Sequence, residues 1–363
     1  MVRGRRRQRI GRRWARRGPR VYVEALGAAP PDWDAYVGCH PHATAYHRGA
    51  TVAIGARAFR LRTTYVVARG DHDAIAGVLP LVEQSSVLFG RFLVSLPFVT
   101  YGGILADDSG VATALAARAC DLARERRADH LELRHTEPLP APSLAERLDK
   151  VSMVLSLPRT EQALAEQLGA KLRSQIRRGE RERLELLWGG EERIADFYRV
   201  FAPAMHALGT PVYSRRFFEI AYDALRDFSS ILVIRMRGIA HAGAILVRHG
   251  DSVEVPWAVA SPEAKRASVN MRMYWELLRR ACAAGAEEFD FGRSSVGSGT
   301  YRFKAQWGAS PRQLYWHYWL PAGAPIPKLN PSNPKYAGAA ALWRHMPLWC
   351  ANALGPRIVR HLP

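Results

Sequence analysis

An α/β (α+β) fold made of two copies of one mixed unit is what this sequence predicts, and three observations carry the prediction. The order hairpin, further strands, helix, strand runs once across residues 64–134 and again across residues 230–291. The strand closing the first copy, Ala128-Asp129-His130-Leu131-Glu132-Leu133, is echoed by Ala286-Glu287-Glu288-Phe289-Asp290-Phe291 at the end of the second. Gly77 and Gly243 stand in similar places in the two second hairpin arms. A chain of 363 residues also exceeds one ordinary domain. Two domains, each with a mixed central sheet flanked by helices, therefore fit better than one large doubly wound sheet.

Residues 1–20 contain ten Arg and no acid, about half of the formal net charge of +19. Such a composition builds no core and predicts a disordered basic extension able to touch nucleic acid or anionic lipid. The first domain, residues 21–158, opens with a short strand and turns helix-like after Pro30 and Pro31. His40, His42 and His47 lie close together, but no cysteine or carboxylate stands at metal-ligand spacing. We expect exposed or hydrogen-bonded histidines in a loop that can line a cleft. Residues 64–69 and 74–81 are strands joined by a Gly/Asp turn. The apolar run 92–105, FLVSLPFVTYGGIL, is too short and too rich in Pro and Gly for a helical membrane span, which predicts buried strands or a core-lining loop. Val111, Leu115, Ala119 and Leu122 share one stripe of a helix over 111–127, and in a strand over 130–134 Leu131 and Leu133 face inward.

Residues 159–190 read as a basic helical connector and a strand. Leu164, Leu168, Leu172 and Ile176 form an i,i+4 stripe. Lys171, Arg173, Arg177, Arg178, Arg181 and Arg183 outnumber Glu180, Glu182 and Glu185 around it. A phosphate-binding surface and an ordinary solvated face are both open readings. The second domain, residues 191–320, begins helical with a break at Gly209-Thr210-Pro211, beyond which Tyr213 is a candidate for an inter-domain cleft. Strands over 230–235, 241–247 and 251–260 follow, then a helix over 270–283 and a strand over 288–291. The Pro-rich segment 321–363, with a short helix over 337–346, is expected to pack on or cap a domain rather than add a central strand.

The 48% hydrophobic content, with 10 Trp and 12 Phe, is enough for sizeable cores. Cys39, Cys120, Cys282 and Cys350 offer no close pair and no zinc-ligand spacing; a reducing cytoplasm suits them. No apolar segment follows the Arg-rich start, so no signal peptide is expected. Dinucleotide, phosphate-loop and nucleophile-elbow fingerprints are all missing. Asp290-Phe291-Gly292 matches a kinase tripeptide, but no catalytic-loop signature or glycine-rich nucleotide loop accompanies it.

The chemistry is expected in residues 286–316, AEEFDFGRSSVGSGTYRFKAQWGASPRQLYW. Phe289 and Phe291 alternate with Glu288 and Asp290 as a strand leaving a core. At Gly292 the pattern breaks into a Gly/Ser loop that returns with Tyr301, Arg302, Phe303, Lys304 and Trp307. This segment resembles the carboxyl-terminal signature of FemAB-like acyltransferases, especially the group associated with PEP-CTERM sorting and exopolysaccharide production. Asp-Phe-Gly-Arg, Gly-Thr-Tyr-Arg-Phe-Lys and Gln-Trp-Gly occur together and in order, and the similarity extends over most of residues 22–320, AKLRSQIRRGER at 170–181 included.

The resemblance implies a tandem GNAT-like acyltransferase fold and transfer of an acyl or aminoacyl group. Better characterised relatives use aminoacyl-tRNA on peptidoglycan precursors, commonly with a long helical hairpin. No comparable insertion lies between Ile194 and Ser230, and the Gln-x-x-Gly-x-Gly/Ala pyrophosphate loop of ordinary GNAT domains is missing too. Acyl-CoA and aminoacyl-tRNA both stay open as donor substrates, with no tightly bound cofactor expected.

Lys304 is the catalytic candidate by resemblance: it can stabilise the oxygen of a tetrahedral intermediate or a donor phosphate, with Arg302 and Tyr301 beside it. Arg293 can bind a phosphate or a sugar-acid carboxylate, and Ser294, Ser295 and Ser298 offer neutral hydrogen bonds. Asn270 can cap the following helix or orient substrate at its positive end. Trp257 can line the cleft or fill the core, and Arg173 and Arg177, one turn apart, can share a phosphate. Asp290, Glu254 and His241 are the candidate general bases; an acceptor arriving as a neutral amine needs none. The expected partners are a phosphate-bearing or lipid-linked envelope or polysaccharide precursor, tRNA, and an anionic membrane at the inner face of which a cytoplasmic enzyme would work. The competing reading is a non-catalytic RNA- or anionic-surface-binding protein on a degenerate acyltransferase scaffold.

Overall fold

The computed structural model describes residues 21–86, 90–327 and 334–362; the basic extension predicted at 1–20 lies outside them. The first half comprises β1 (Tyr22–Leu26), α1 (Trp33–Cys39), α2 (Gly49–Val52), α3 (Ile54–Phe59), β2 (Arg62–Arg69), β3 (Ile75–Ser86), β4 (Gly90–Val94), β5 (Leu105–Ala106), α4 (Ser109–Glu125), β6 (His130–His135), β7 (Ala145–Arg147) and β8 (Lys150–Ser156). Then come α5 (Glu161–Gln167), α6 (Ala170–Glu180), β9 (Leu184–Gly189), α7 (Ile194–Ala207), α8 (Arg215–Ala224), β10 (Ser229–Met236), β11 (Ile239–His249), β12 (Ser252–Ala260), α9 (Pro262–Arg266), α10 (Val269–Ala283), β13 (Glu288–Ser295), α11 (Gly299–Ala305), β14 (Ser310–Gln313), β15 (Tyr315–Trp319), α12 (Pro334–His345) and α13 (Leu348–Val359).

The elements begin where local chemistry allows. Asp108 caps α4 by accepting from Gly110 and Val111 N–H at 2.7 and 2.9 Å. The stripe Val111, Leu115, Ala119 and Leu122 is buried as the spacing predicts. Leu164, Leu168, Leu172 and Ile176 are likewise all buried, yet they do not share one helix, because the chain turns extended at Leu168 and Gly169 and restarts as α6. The hairpin β2–β3 and its counterpart β10–β11 pair antiparallel. Their glycines differ in surroundings: a Cβ on Gly77 would meet Val111 and Leu115 of α4, whereas one on Gly243 would meet Phe197 of α7. The correspondence of Gly77 and Gly243 thus holds for strand position and fails for packing.

Two sheets result, ordered β1-β2-β3-β4-β6-β15-β7 and β9-β10-β11-β12-β13-β8-β14, with β5 paired to β3 off the first path. Read this way, the orders superimpose position by position, with one parallel pair in each, β4/β6 and β12/β13. The sixth strand of each sheet comes from the other half of the chain. Lys150–Ser156 leaves the first half to lie between β13 and β14, and Tyr315–Trp319 leaves the second to lie between β6 and β7. Divisions at 158 and 320 therefore cut across sheet membership. Trp316 and Tyr318 are buried in the host sheet, each contributing roughly 2 kcal/mol of apolar burial that ties the halves together.

Two further differences concern the signature stretch. The strand does not stop at Gly292 but continues to Ser295 through an irregularity at Gly292, whose φ is +78°. The returning run is a helix, α11, rather than a loop. Among the described residues no helix is long and apolar enough to cross a membrane.

Candidate active site

The parallel pair β12/β13 is short: Ser252, Val253 and Glu254 lie opposite Glu288, Phe289 and Asp290, and beyond that point the strands part. Register partners in a parallel pair project on the same face, so Glu254 and Asp290 stand side by side where the strands diverge. Both are buried, at 0% and 5% exposure. Two carboxylates this close resist joint ionisation.

The surroundings decide which keeps the charge. Glu254 accepts from Tyr46 Oη at 2.5 Å, Thr100 Oγ1 at 3.0 Å and His249 Nε2 at 3.2 Å. His249 Nδ1 accepts from the backbone N–H of Ala45, which leaves Nε2 as the donor to Glu254. Burial pushes the Glu254 carboxyl up, but His249 and then the Tyr46 and Thr100 hydroxyls outweigh it and hold it below the usual range. Asp290 accepts from Ser152 Oγ at 2.5 Å and from Gly292 N–H at 2.7 Å, with Tyr101 Oη at 3.5 Å. Burial first, and then the charge of Glu254, push it up to about 7. The pair is a fixed anion beside a carboxyl that exchanges its proton near neutrality.

Lys304 lies on α11, which Ser298 caps by accepting from Tyr301 N–H at 3.2 Å. Its ammonium is nearly buried and donates to the carbonyls of Gly292 at 2.8 Å and Arg293 at 3.0 Å. Those carbonyls are presented by the left-handed turn of the strand at Gly292. Burial lowers the Lys304 ammonium to about 8, against the attraction of Asp290 and Glu254. An ammonium has three N–H donors; two are engaged, leaving one for a ligand oxygen.

The structure brings Lys304, Asp290 and Glu254 together and leaves Arg293 on the rim. Arg293 is exposed, and its guanidinium lies 4.9 Å from the centre of the Trp316 ring, against which buried Arg134 also stacks at 4.6 Å. Half-buried Tyr213 joins Phe98, Phe59 and Phe217 in one aromatic group. Trp257 packs at the far side of that group, against Phe217 and Phe218, and is 8% exposed.

The remaining candidates lie elsewhere. Arg302 is exposed and donates to Gly297 O at 2.8 Å, and Tyr301 packs half-buried against the second sheet's core. Ser294 is buried and its hydroxyl has no partner, while Ser295 Oγ accepts from Lys150 Nζ at 2.7 Å. Asn270 is not the cap of α10; Ser268 occupies that position with φ +62° and no side-chain cap, and Asn270 Nδ2 approaches only Met271 Sδ at 3.5 Å. Arg173 and Arg177 are on the exposed face of α6, where Arg173 donates to Leu168 O. His241 Nδ1 lies 2.9 Å from Ser261 Oγ, away from the carboxylates. His47 is buried between Gly103 O and Thr44, and burial lowers its imidazole to about 4. Among the described residues no group of three His, Cys, Asp or Glu side chains is arranged to hold a metal ion, and the four cysteines are free.

Sequence reasoning missed Tyr46, Thr100, Tyr101, Ser152 and His249. The only local signal was Thr100-Tyr101 interrupting an apolar run before Gly102 and Gly103. Ser152 reaches Asp290 from the exchanged strand and Tyr46 reaches Glu254 from the first half of the chain, so no periodicity could have paired them.

Residues 168–305 match the sequence family described as acetyltransferase (GNAT) domain. Solved structures extend the likeness to the whole architecture. FemX is 14% identical with a TM-score of 0.61, over 82% of this chain and 97% of FemX. A tandem GNAT protein from the clavulanic acid biosynthesis pathway is 13% identical with a TM-score of 0.54, over 85% and 100% of the respective chains. L-PGS from Bacillus licheniformis is 12% identical with a TM-score of 0.54, over 92% and 98%. No curated protein matches in sequence. The fold is a tandem GNAT-like α/β architecture.

Proposed function

We propose that this tandem GNAT-like chain is an acyltransferase or aminoacyltransferase that forms an amide on a cell-envelope or exopolysaccharide precursor. The observation that supports it most is the cluster at the parting of β12 and β13. There a carboxyl titrating near neutrality stands beside a buried ammonium with one free donor. In this reading the ionised Asp290 takes a proton from the acceptor ammonium. The neutral amine attacks the donor carbonyl, and Lys304 hydrogen-bonds the oxygen that becomes negative. A C–N bond forms, the donor's C–S or C–O bond breaks, and the extra proton on the attacking nitrogen passes to the departing thiolate or alkoxide while Asp290 keeps the first. Glu254 keeps Asp290 basic by denying it a stable second charge.

Arg293 on the rim suits a phosphate or carboxylate of the acceptor, and the basic face of α6 suits further phosphates of either substrate. Arg178 donates to Arg266 O at 2.9 Å, so this face borders the start of α10. The resemblance of residues 286–316 to the FemAB-like signature makes envelope precursors the acceptor class to test, and acyl-CoA and aminoacyl-tRNA the two donors to compare. A lipid-linked acceptor would bring a cytoplasmic enzyme to the inner face of the membrane.

Mass spectrometry of an envelope-precursor extract incubated with the protein and either donor pool tests this. A defined mass increment on a phosphate-linked sugar or peptide, lost with Lys304→Ala, is expected. No increment from either donor, with RNA or anionic lipid held equally by both proteins, would replace the enzyme with a binding scaffold.

A further inference from the structure

The C-terminal helices carry a second surface, separate from the cluster. α12 and α13 pack on the body through one face only: Trp343, Ala351, Gly355 and Val359 are buried. Gly355 lies so close to Val212 that a Cβ there would stand 2.8 Å from the Val212 carbonyl, and one on Gly209, just past α7, would stand 2.8 Å from Ala340 O. Gln84 of β3 donates to the carbonyls of Arg360 and Leu362 at 2.9 and 3.0 Å, fastening the end of α13 to the first sheet.

The exposed side chains of the two helices are apolar and cationic. Trp349 is 74% exposed and Leu342 71%, and Leu348, Leu354 and, just past α7, Leu208 are exposed as well. Several large apolar side chains left exposed on two consecutive helices mark an interaction site. Arg344, Arg357 and Arg360 are exposed among them, and none pairs with a carboxylate among the described residues. No Asp or Glu follows Asp290 anywhere in the sequence. The 12 residues of α13 include Pro356 and are too few to span a bilayer, so contact would be in the plane of a surface. A tryptophan at an apolar and wet boundary, exposed leucines and arginines without a carboxylate partner together fit phosphate headgroups above acyl chains.

We infer that the exposed face of α12 and α13 docks on an anionic phospholipid surface. Trp349 and Leu342 enter the boundary between headgroups and acyl chains, and Arg344, Arg357 and Arg360 meet the phosphates. The inference rests on this surface and not on the reaction. Because α13 packs on Val212, next to Tyr213, docking holds that aromatic group on the lipid-facing side of the molecule.

Flotation of the full chain with phosphatidylcholine vesicles of increasing phosphatidylglycerol content tests it. Binding should rise with phosphatidylglycerol and fall with salt. Trp349→Ser with Leu342→Ser should weaken it about tenfold, and Arg344→Glu with Arg357→Glu should clearly lower the dependence on phosphatidylglycerol. All four side chains are exposed, so unfolding transitions should match the parent. Equal flotation of parent and both variants would overturn the inference. So would loss of binding only when the ten Arg of residues 1–20 are changed to Gln. Self-association without vesicle binding, reversed by Trp349→Ser, would assign the face to a second copy instead.

Discussion

The two places where a parallel strand pair opens, β4/β6 and β12/β13, are the same position in the two sheets and have opposite chemistry. In the first, Val94 lies opposite Glu132; in the second, Glu254 lies opposite Asp290. Glu132 and Asp290 are therefore equivalent carboxyls. Two residues further on, the first strand has Arg134 and the second Gly292. Arg134, 2% exposed, bonds Glu132 at 2.6 Å and the carbonyls of Leu96 and Val99 at 3.2 and 2.8 Å, filling the space between the parting strands. Burial pushes Glu132 up, but Arg134 and the Tyr318 hydroxyl outweigh it and hold it below the usual range. At Gly292 there is no side chain, and the turned backbone offers its carbonyl to Lys304. On the ladder Arg134 pairs with Trp316 and Arg293 with Ser152, so the extra residue at Gly292 moves the second strand's arginine away from its carboxyl and leaves an acid–base cluster where the first sheet has a closed ion pair.

Breaking the closed side should have the largest effect on stability. Arg134→Ala leaves Glu132 buried without its partner and should cost about 3–5 kcal/mol in chemical denaturation, with turnover per folded molecule preserved. On the open side, Lys304→Ala should lower kcat about 10²- to 10³-fold while the chain stays folded, the size of losing one donor to a developing oxyanion. Unchanged turnover would remove Lys304 from the chemistry.

Asp290→Asn should reduce turnover about 10²-fold and change two pH profiles. The parent needs Asp290 ionised and Lys304 protonated, so activity should peak between about 7 and about 8, and the variant should lose the acid limb. For stability, folded Asp290 keeps its proton up to about 7, whereas the unfolded chain releases it near 3.8. Between those values the folded state binds more protons, so this group's contribution falls as pH rises. Thermal unfolding of the variant should lack that decline. Smallest is Gly292→Ala. The nearest atom to a new Cβ is 3.6 Å away, so the cost, ~1 kcal/mol by denaturation, comes from the left-handed backbone rather than from a clash.

Much of this comparison was already legible in the chain. The echo of residues 128–133 in 286–291 marks the two equivalent strands, and strand parity put Glu254 and Asp290 among the candidate bases. Lys304 followed from the resemblance of its motif. Less legible were the closing partners. Nothing local links Ser152 to Asp290 or Tyr46 to Glu254, separations of 138 and 208 residues. Ser298 looked like a substrate contact because Gly and Ser suggest a loop, but with a helix behind it a serine caps. Arg302 and Lys304 sit two apart on α11, so they point to different sides, one outward and one inward.

Periodicity by itself determined most of the strands and helices and the duplication, and the motif of residues 286–316 supplied the candidate stretch for the chemistry. These are local properties, set by which face of a strand or helix is apolar and by which residues can start or stop it. Only the tertiary structure decided that the sixth strands change places, that Arg134 is buried against Glu132 while the second strand turns at Gly292, and that first-half hydroxyls join His249 in holding a second-half carboxyl low. Desolvation and hydrogen bonding across the two sheets set those outcomes, and neither exists until residues far apart in sequence are packed together.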